Sequence, residues 1–268
     1  MNRIKFSVFF SGIMAFVPPA FAAEEHLPCI IEPSETVEVG SPVTGLLGEI
    51  RVDRSDAVKK GQIIATIRSS VERKTVDLAA LRTRDSSEIQ SAIAEREYAK
   101  REKNRNLLLY HKHLVSRQAL DKAITELSLA EHKLEEARAK ASEAKQELKI
   151  ARAQLSQRVI RSPIDGIVTE RYLAPGYRVR EEPIVKVINI DPLNVEVIVP
   201  SKYYNKLKIG EKMSITPDLP GFKPRIATVK ITDKVIDAAS NTFRVTLELP
   251  NHDRIIPAGA RCTAKMGN

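Results

Sequence analysis

Two stretches of the chain, far apart in sequence, carry one motif. The first is Ser41-Pro42-Val43-Thr44-Gly45-Leu46-Leu47, continuing to Val58-Lys59-Lys60-Gly61-Gln62-Ile63-Ile64. The second is Ser162-Pro163-Ile164-Asp165-Gly166-Ile167-Val168, continuing to Val179 and Pro183-Ile184-Val185. A constant offset of 121 residues aligns 41–67 with 162–188 without a gap. Ser, Pro, Gly, Val and Ile recur at 41/162, 42/163, 45/166, 58/179 and 63/184. Around the first copy, apolar and polar residues alternate, and Pro33, Gly40, Pro42, Gly45, Gly48 and Gly61 punctuate them, which reads as short strands joined by tight turns. A small β unit has therefore been split in half, with a helical segment inserted at its centre.

That segment, from about Ser69 to Gln157, is charged and rich in Ala and Leu. In its second half Leu120, Leu127, Leu134, Ala141, Leu148 and Leu155 recur every seven residues. Ala123, Ala130, Ala137, Ala144 and Ala151 recur at the same interval. Apolar residues alternately three and four apart keep one seam toward a partner helix, the condition for a coiled coil. The first half is less regular: Val71, Leu78, Leu81, Ile89, Ala92 and Ala99 form a seam that Asp85-Ser86-Ser87-Glu88 interrupts. The turn is expected within 111–116, with Ser116 as N-cap of the second helix. Two antiparallel helices of this size make a rod about 60 Å long, whose role is reach.

Asp191-Pro192 marks a boundary. Beyond it, 194–200, 212–216, 225–235, 242–249 and 260–265 alternate like antiparallel strands, and 201–208 reads as a short helix. This spacing suits a small closed β-barrel. At the other end, Arg3 and Lys5 precede the apolar run 6–17 and Ala20-Phe21-Ala22, the pattern of a secretory leader cleaved near Ala22. The run is shorter than the roughly 20 residues of a membrane span, although an uncleaved anchor is the alternative. The domains are thus read as 1–22 signal peptide, 23–40 N-terminal strand segment, 41–68 and 159–190 the two halves, 69–158 hairpin, and 191–268 barrel.

The formal charge is +9. Basic residues alternate with Glu along the helices, as in Glu95-Arg96-Glu97 and Lys133-Leu134-Glu135-Glu136, which describes a solvated face and no nucleic-acid stripe. Cys29 and Cys262 lie near opposite ends of the mature chain. Export permits a disulfide, and two separately buried thiols are the alternative.

With halves, insertion and barrel in place, the chain resembles the periplasmic adaptors, or membrane fusion proteins of the hemolysin-D-like group. It is closest to the branch serving resistance-nodulation-division efflux pumps. The resemblance implies a multidomain α and β fold. Its parts are a split lipoyl/biotinyl-like β-sandwich, an inserted antiparallel coiled-coil hairpin and a small antiparallel β-barrel. Members carry a further membrane-proximal domain after the barrel, which the residues up to Asn268 leave reduced or absent. The family's tip pattern is Arg, three residues, Leu, six residues, Ser; Arg105, Leu109 and Ser116 fit it. The resemblance assigns them to binding an outer-membrane channel. It also implies an inner-membrane transporter as partner, proton-driven, and a homo-oligomer of six. One departure is Ser55-Asp56-Ala57-Val58, where the family has Gly-Asp before Val; Gly176 keeps the Gly in the second copy.

Other chemistry is set aside. A lipoyl-type carrier presents a modified Lys in the turn joining its halves, and here that turn is replaced by the helical insertion. His111 and His113 flank Lys112 without neighbouring Cys or carboxylate ligands. There is no nucleophile–base arrangement and no phosphate loop. No cofactor and no enzymatic activity are expected. The expectation is a periplasmic adaptor for efflux of small molecules. An adaptor for an ATP-driven exporter and a standalone periplasmic coiled-coil protein are the alternatives.

Overall fold

The computed structural model describes residues 26–266; the leader read at 1–22 lies outside them. The described chain divides into two compact units, one holding 33–191 and the other joining the residues up to Glu32 to those from Pro192 onward. The segment read as 23–40 is thus shared between them. None of the helices among the described residues is long and apolar enough to cross a membrane.

In the unit 33–191, the first half-motif supplies β2 (Gly45–Ile50), β3 (Ala57–Val58) and β4 (Ile63–Ile67). The second supplies β6 (Gly166–Arg171), β7 (Arg178–Val179) and the start of β8 (Val185–Pro200). The halves interlock. Gly45 pairs with Val179 and Leu46 with Arg178, while Val58 pairs with Gly166 and Ala57 with Ile167. Adding or subtracting the sequence offset converts each of these pairings into another, so the repeat is an internal two-fold of the fold. The same exchange relates the Ser55 N–H bond to the Val168 carbonyl (2.8 Å) and the Gly176 N–H bond to the Leu47 carbonyl (2.7 Å). It also relates two hydroxyl staples: Ser41 Oγ donates to the Val43 carbonyl and Ser162 Oγ to that of Ile164, each at 2.6 Å. Leu47 and Val168, Val58 and Val179, and Ile64 and Val185 fill one core from equivalent places. Side chains alternating along short strands can bury such residues only when a second half covers the first.

The insertion forms α1 (Ser70–Arg84), α2 (Ser87–His111) and α3 (Arg117–Ser156). α3 buries Leu120, Ala123, Ala130, Leu134, Ala137 and Ala151, all on the seven-residue seam. The first arm corrects the expected seam. Val71, Leu78 and Leu81 are exposed, and α1 instead turns Ala79 inward with Glu72, Val76 and Thr83 beside it. The cause is a break in the arm: Asp85 is extended, and its Oδ1 accepts from the Ser87 N–H (3.0 Å) and hydroxyl (2.7 Å). α1 and α2 can therefore rotate separately, and the small Ala79 permits a closer approach than Leu at that place. β5 (Val159–Arg161) then pairs with β4, Thr66 opposite Val159, so the insertion leaves and returns at adjacent strands.

In the other unit the strand order is β1 (His26–Val39), β12 (Arg261–Met266), β9 (Lys212–Pro217), β10 (Arg225–Thr232), β11 (Thr242–Leu249), β8. β8 also pairs with β1, so the order closes on itself. Alternate residues Leu193, Val195, Val197 and Val199 of β8 are wholly buried, facing a core shared with Val245, Leu247, Ile215 and Ala264. Cys29 and Cys262 are register partners on β1 and β12, with Cα atoms 4.9 Å apart, and a disulfide joins them. The short helix expected at 201–208 is only a 3-10 turn, Ser201–Tyr203, because Tyr204 is extended and Asn205 adopts φ +65°.

Candidate functional site

The tip is positioned by the register of the two arms. Lys133 Nζ reaches Glu95 Oε1 at 2.6 Å, Lys140 Nζ reaches Glu88 Oε1 at 2.7 Å, and Arg82 Nη1 reaches Glu147 Oε2 at 3.1 Å. As one partner's number rises the other's falls, which defines an antiparallel pair. Exposed pairs of this kind add little stability each but oppose axial slip. Glu88, then Glu136, hold the Lys140 pKa above its ordinary value by hydrogen bonding, and the Arg96 guanidinium on the neighbouring Glu97 carboxylate holds that group below its own.

α2 ends in a Schellman turn. The Leu114 N–H donates to the Leu109 carbonyl (2.9 Å) and the His113 N–H to that of Tyr110 (2.9 Å), with His113 at φ +58°. A left-handed residue at this place closes the carbonyls that a helix end leaves unpaired. Ser116 caps α3, its Oγ accepting from the Ala119 N–H at 3.2 Å. The connection is therefore only 112–116, fixed at both ends by hydrogen bonds.

The structure brings Arg105, Leu109 and Ser116 to this end of the hairpin, in different settings. Arg105 is largely exposed, with Nη1 3.2 Å from Glu102 Oε1 one turn earlier. Leu109 is half-buried, and Ser116 is exposed at its cap. Sequence reasoning passed over Leu108 and Leu114, which stand out at 65% and 68% exposure beside Tyr110. A signal was present: a helix buries one face, so the run Leu107-Leu108-Leu109 must send a leucine outward. The tip thus offers an exposed guanidinium, apolar knobs and a small hydroxyl on a rigid turn. Such a surface offers charge-assisted, apolar and hydroxyl contacts to another molecule. Among the described residues there is no group of three His, Cys, Asp or Glu placed to hold a metal ion.

At the base, Arg158 is the anchoring cation. Its Nη1 donates to the Thr44 carbonyl (3.0 Å) and its Nη2 to Glu72 Oε1 (2.6 Å), both side chains mostly buried. One fork thereby ties α1 to the turn before β2. Cys29 and Cys262, the other residues singled out from sequence, lie in the barrel unit.

Residues 35–189 match the family model of the CzcB-like barrel-sandwich hybrid domain. Over 231 residues the chain is 32% identical to the macrolide export protein MacA of Yersinia pestis, covering 82% of this chain and 61% of that relative's length. The structure of MacA from Actinobacillus actinomycetemcomitans superposes with a TM-score of 0.75 at 20% identity, covering 91% of this chain and 78% of that one. The membrane fusion protein Spr0693 of Streptococcus pneumoniae R6 superposes at 0.63 with 15% identity, covering 91% and 99%.

Proposed function

The chain belongs to the CzcB-like barrel-sandwich hybrid family of membrane-fusion adaptors, which are not enzymes, and from that premise we propose that it links an inner-membrane transporter to an outer-membrane channel across the periplasm. The observation that carries this reading is the capped tip at the end of an antiparallel hairpin rooted in a split β module. Arg105, Leu109 and Ser116 would engage the channel, Arg105 through carbonyls or carboxylates and Leu109 as an apolar knob. The hairpin would act as a coiled-coil stalk, in copies standing side by side. The exposed Val71, Leu78, Leu81 and Ile150 support this, since exposed apolar patches mark interaction surfaces. Six copies, a cleaved leader and a proton-driven transporter of the resistance-nodulation-division type complete the proposal. The cargo is a small molecule, as the relative's name, macrolide export protein, suggests by analogy.

The test is copurification from membranes together with export by cells carrying Arg105→Asp. The expected result is capture of a channel and a transporter by the wild type, with the variant folded but losing both the channel and export. Unchanged export in the variant would remove the tip assignment. An ATP-hydrolysing partner would move the chain to the ATP-driven systems, and a clean homo-oligomer without membrane proteins would sink the adaptor reading.

A further inference from the structure

One end of the barrel gathers features that neither the core nor the tip explains. β8 ends at Pro200 opposite Thr242, where β11 begins, and His26 lies opposite Lys265 near the end of β12. The connections 201–211 and 233–241 therefore leave the barrel at the same end. Each presents a bare aliphatic side chain: Ile209 is 74% exposed and Val235 78%. Among the described residues these are the two most exposed large apolar side chains of this unit, and Ile231 and Ile236 beside the second are 50% and 40% exposed.

Both loops are built so that these side chains stay out. In the first, Leu207 is buried, the Gly210 N–H donates to the Val229 carbonyl (2.9 Å), and the Val229 N–H returns a bond to Glu211 (2.8 Å). In the second, Asp237 Oδ1 accepts from the N–H groups of Ala239 (2.8 Å) and Ser240 (3.1 Å), while the Asp237 N–H donates to the Thr242 carbonyl. Apolar side chains that merely lacked space inside would not need such scaffolding. Around them stand exposed Lys206, Lys208, Lys212 and Lys234, which outnumber the exposed carboxylates Glu211 and Asp237. Tyr203 lies beneath the Lys206 ammonium, 5.5 Å from ring centre to Nζ. Exposed aliphatic side chains set among lysines, with a tyrosine behind them, match the chemistry of a bilayer interface: hydrocarbon just below a layer of phosphates. The recess behind them, lined by Tyr203, Leu207, Met213 and Met266, is flanked by Lys206 and Lys212, so anionic headgroups complement it in charge.

We propose that this end of the barrel docks directly on a bilayer containing anionic phospholipid, with Ile209 and Val235 entering the headgroup–acyl boundary and the four lysines meeting phosphates. The inference uses the barrel alone and stands whether or not the tip engages a channel. The test is co-sedimentation of the mature chain with vesicles of phosphatidylcholine, alone or mixed with phosphatidylglycerol. The wild type sediments with the mixed vesicles and is released by salt. Lys206→Glu/Lys208→Glu/Lys212→Glu loses about a hundredfold in partitioning, taking a factor of about five per lysine. Ile209→Ser/Val235→Ser loses about tenfold, and circular dichroism confirms that both variants remain folded. Serine variants that bind like the wild type would reduce the effect to charge attraction and overturn the proposal. So would equal binding to both vesicle types, and so would no binding to either, which leaves this face to an acidic protein partner.

Discussion

Gly166 passes so close to Ile188 that a Cβ at residue 166 would stand 2.2 Å from the Ile188 carbonyl oxygen. Its repeat partner Gly45 meets the equivalent residue, with a Cβ there 2.4 Å from Ile67 Cγ2. The obstacle is backbone at 166 and largely side chain at 45, so the two substitutions should differ. Gly166→Ala is expected to lose about 3 kcal/mol and Gly45→Ala about 1 kcal/mol, read from urea midpoints. Equal losses would mean that strand β8 yields as easily as a side chain.

Ser55 and Gly176 occupy equivalent places with φ of +73° and +88°. A serine there is strained where a glycine is not. Ser55→Gly should therefore gain up to about 1 kcal/mol, and Gly176→Ser should lose about as much. Thermal unfolding of the two single variants measures both signs.

Arg158 holds the hairpin base by two bonds from one guanidinium. Arg158→Ala leaves the mostly buried Glu72 without its cation and should cost about 2 kcal/mol. Arg158→Lys, which lacks the fork, should recover only part of it. Full recovery with lysine, measured by urea unfolding, would show that charge alone matters.

The Cys29–Cys262 link spans 233 residues. Cys262→Ser should cost about 4 kcal/mol, and a reductant should destabilise the wild type while leaving the variant unchanged. Free-thiol titration of the unfolded wild type should find none.

Hairpin stability should depend on pH at both extremes. The Ser87 hydroxyl and then its N–H hold the Asp85 carboxyl below its usual range. A lowered pKa gives stability that is full above the unfolded value and lost as pH falls through the folded one. Lys140 is raised, by Glu88 first and then Glu136, so its contribution is full below the unfolded value and lost as pH rises through the folded one. Helicity on mild heating should be flat between about pH 5 and 9, decline below about pH 4 and decline again above about pH 10. In Asp85→Asn the acid decline should shrink while the alkaline one persists.

Some of this could be read from sequence because the repeat is exact where geometry is strict. Glycine recurs at 45 and 166 because a strand crosses closely there, and Val58 and Val179 recur because they share one core. The α3 seam was visible because its period is unbroken over 40 residues. The seam of α1 was misread since Val71, Leu78 and Leu81 look apolar, whereas the side facing α3 required small Ala79. Apolarity records what a residue prefers; close helix contact selects for size. Exposed Ile209 and Val235 were invisible for a related reason: alternation identifies strands, and nothing local tells which aliphatic residues at strand ends project.

Thr66 and Val159 sit side by side where the insertion departs and returns. The β module therefore senses only that two neighbouring chain ends meet it, not how far the excursion travels. Matched removal of one heptad from each arm would shorten it by roughly 10 Å with the module undisturbed. Span is thus a free variable in this architecture, adjustable in steps to whatever gap must be crossed.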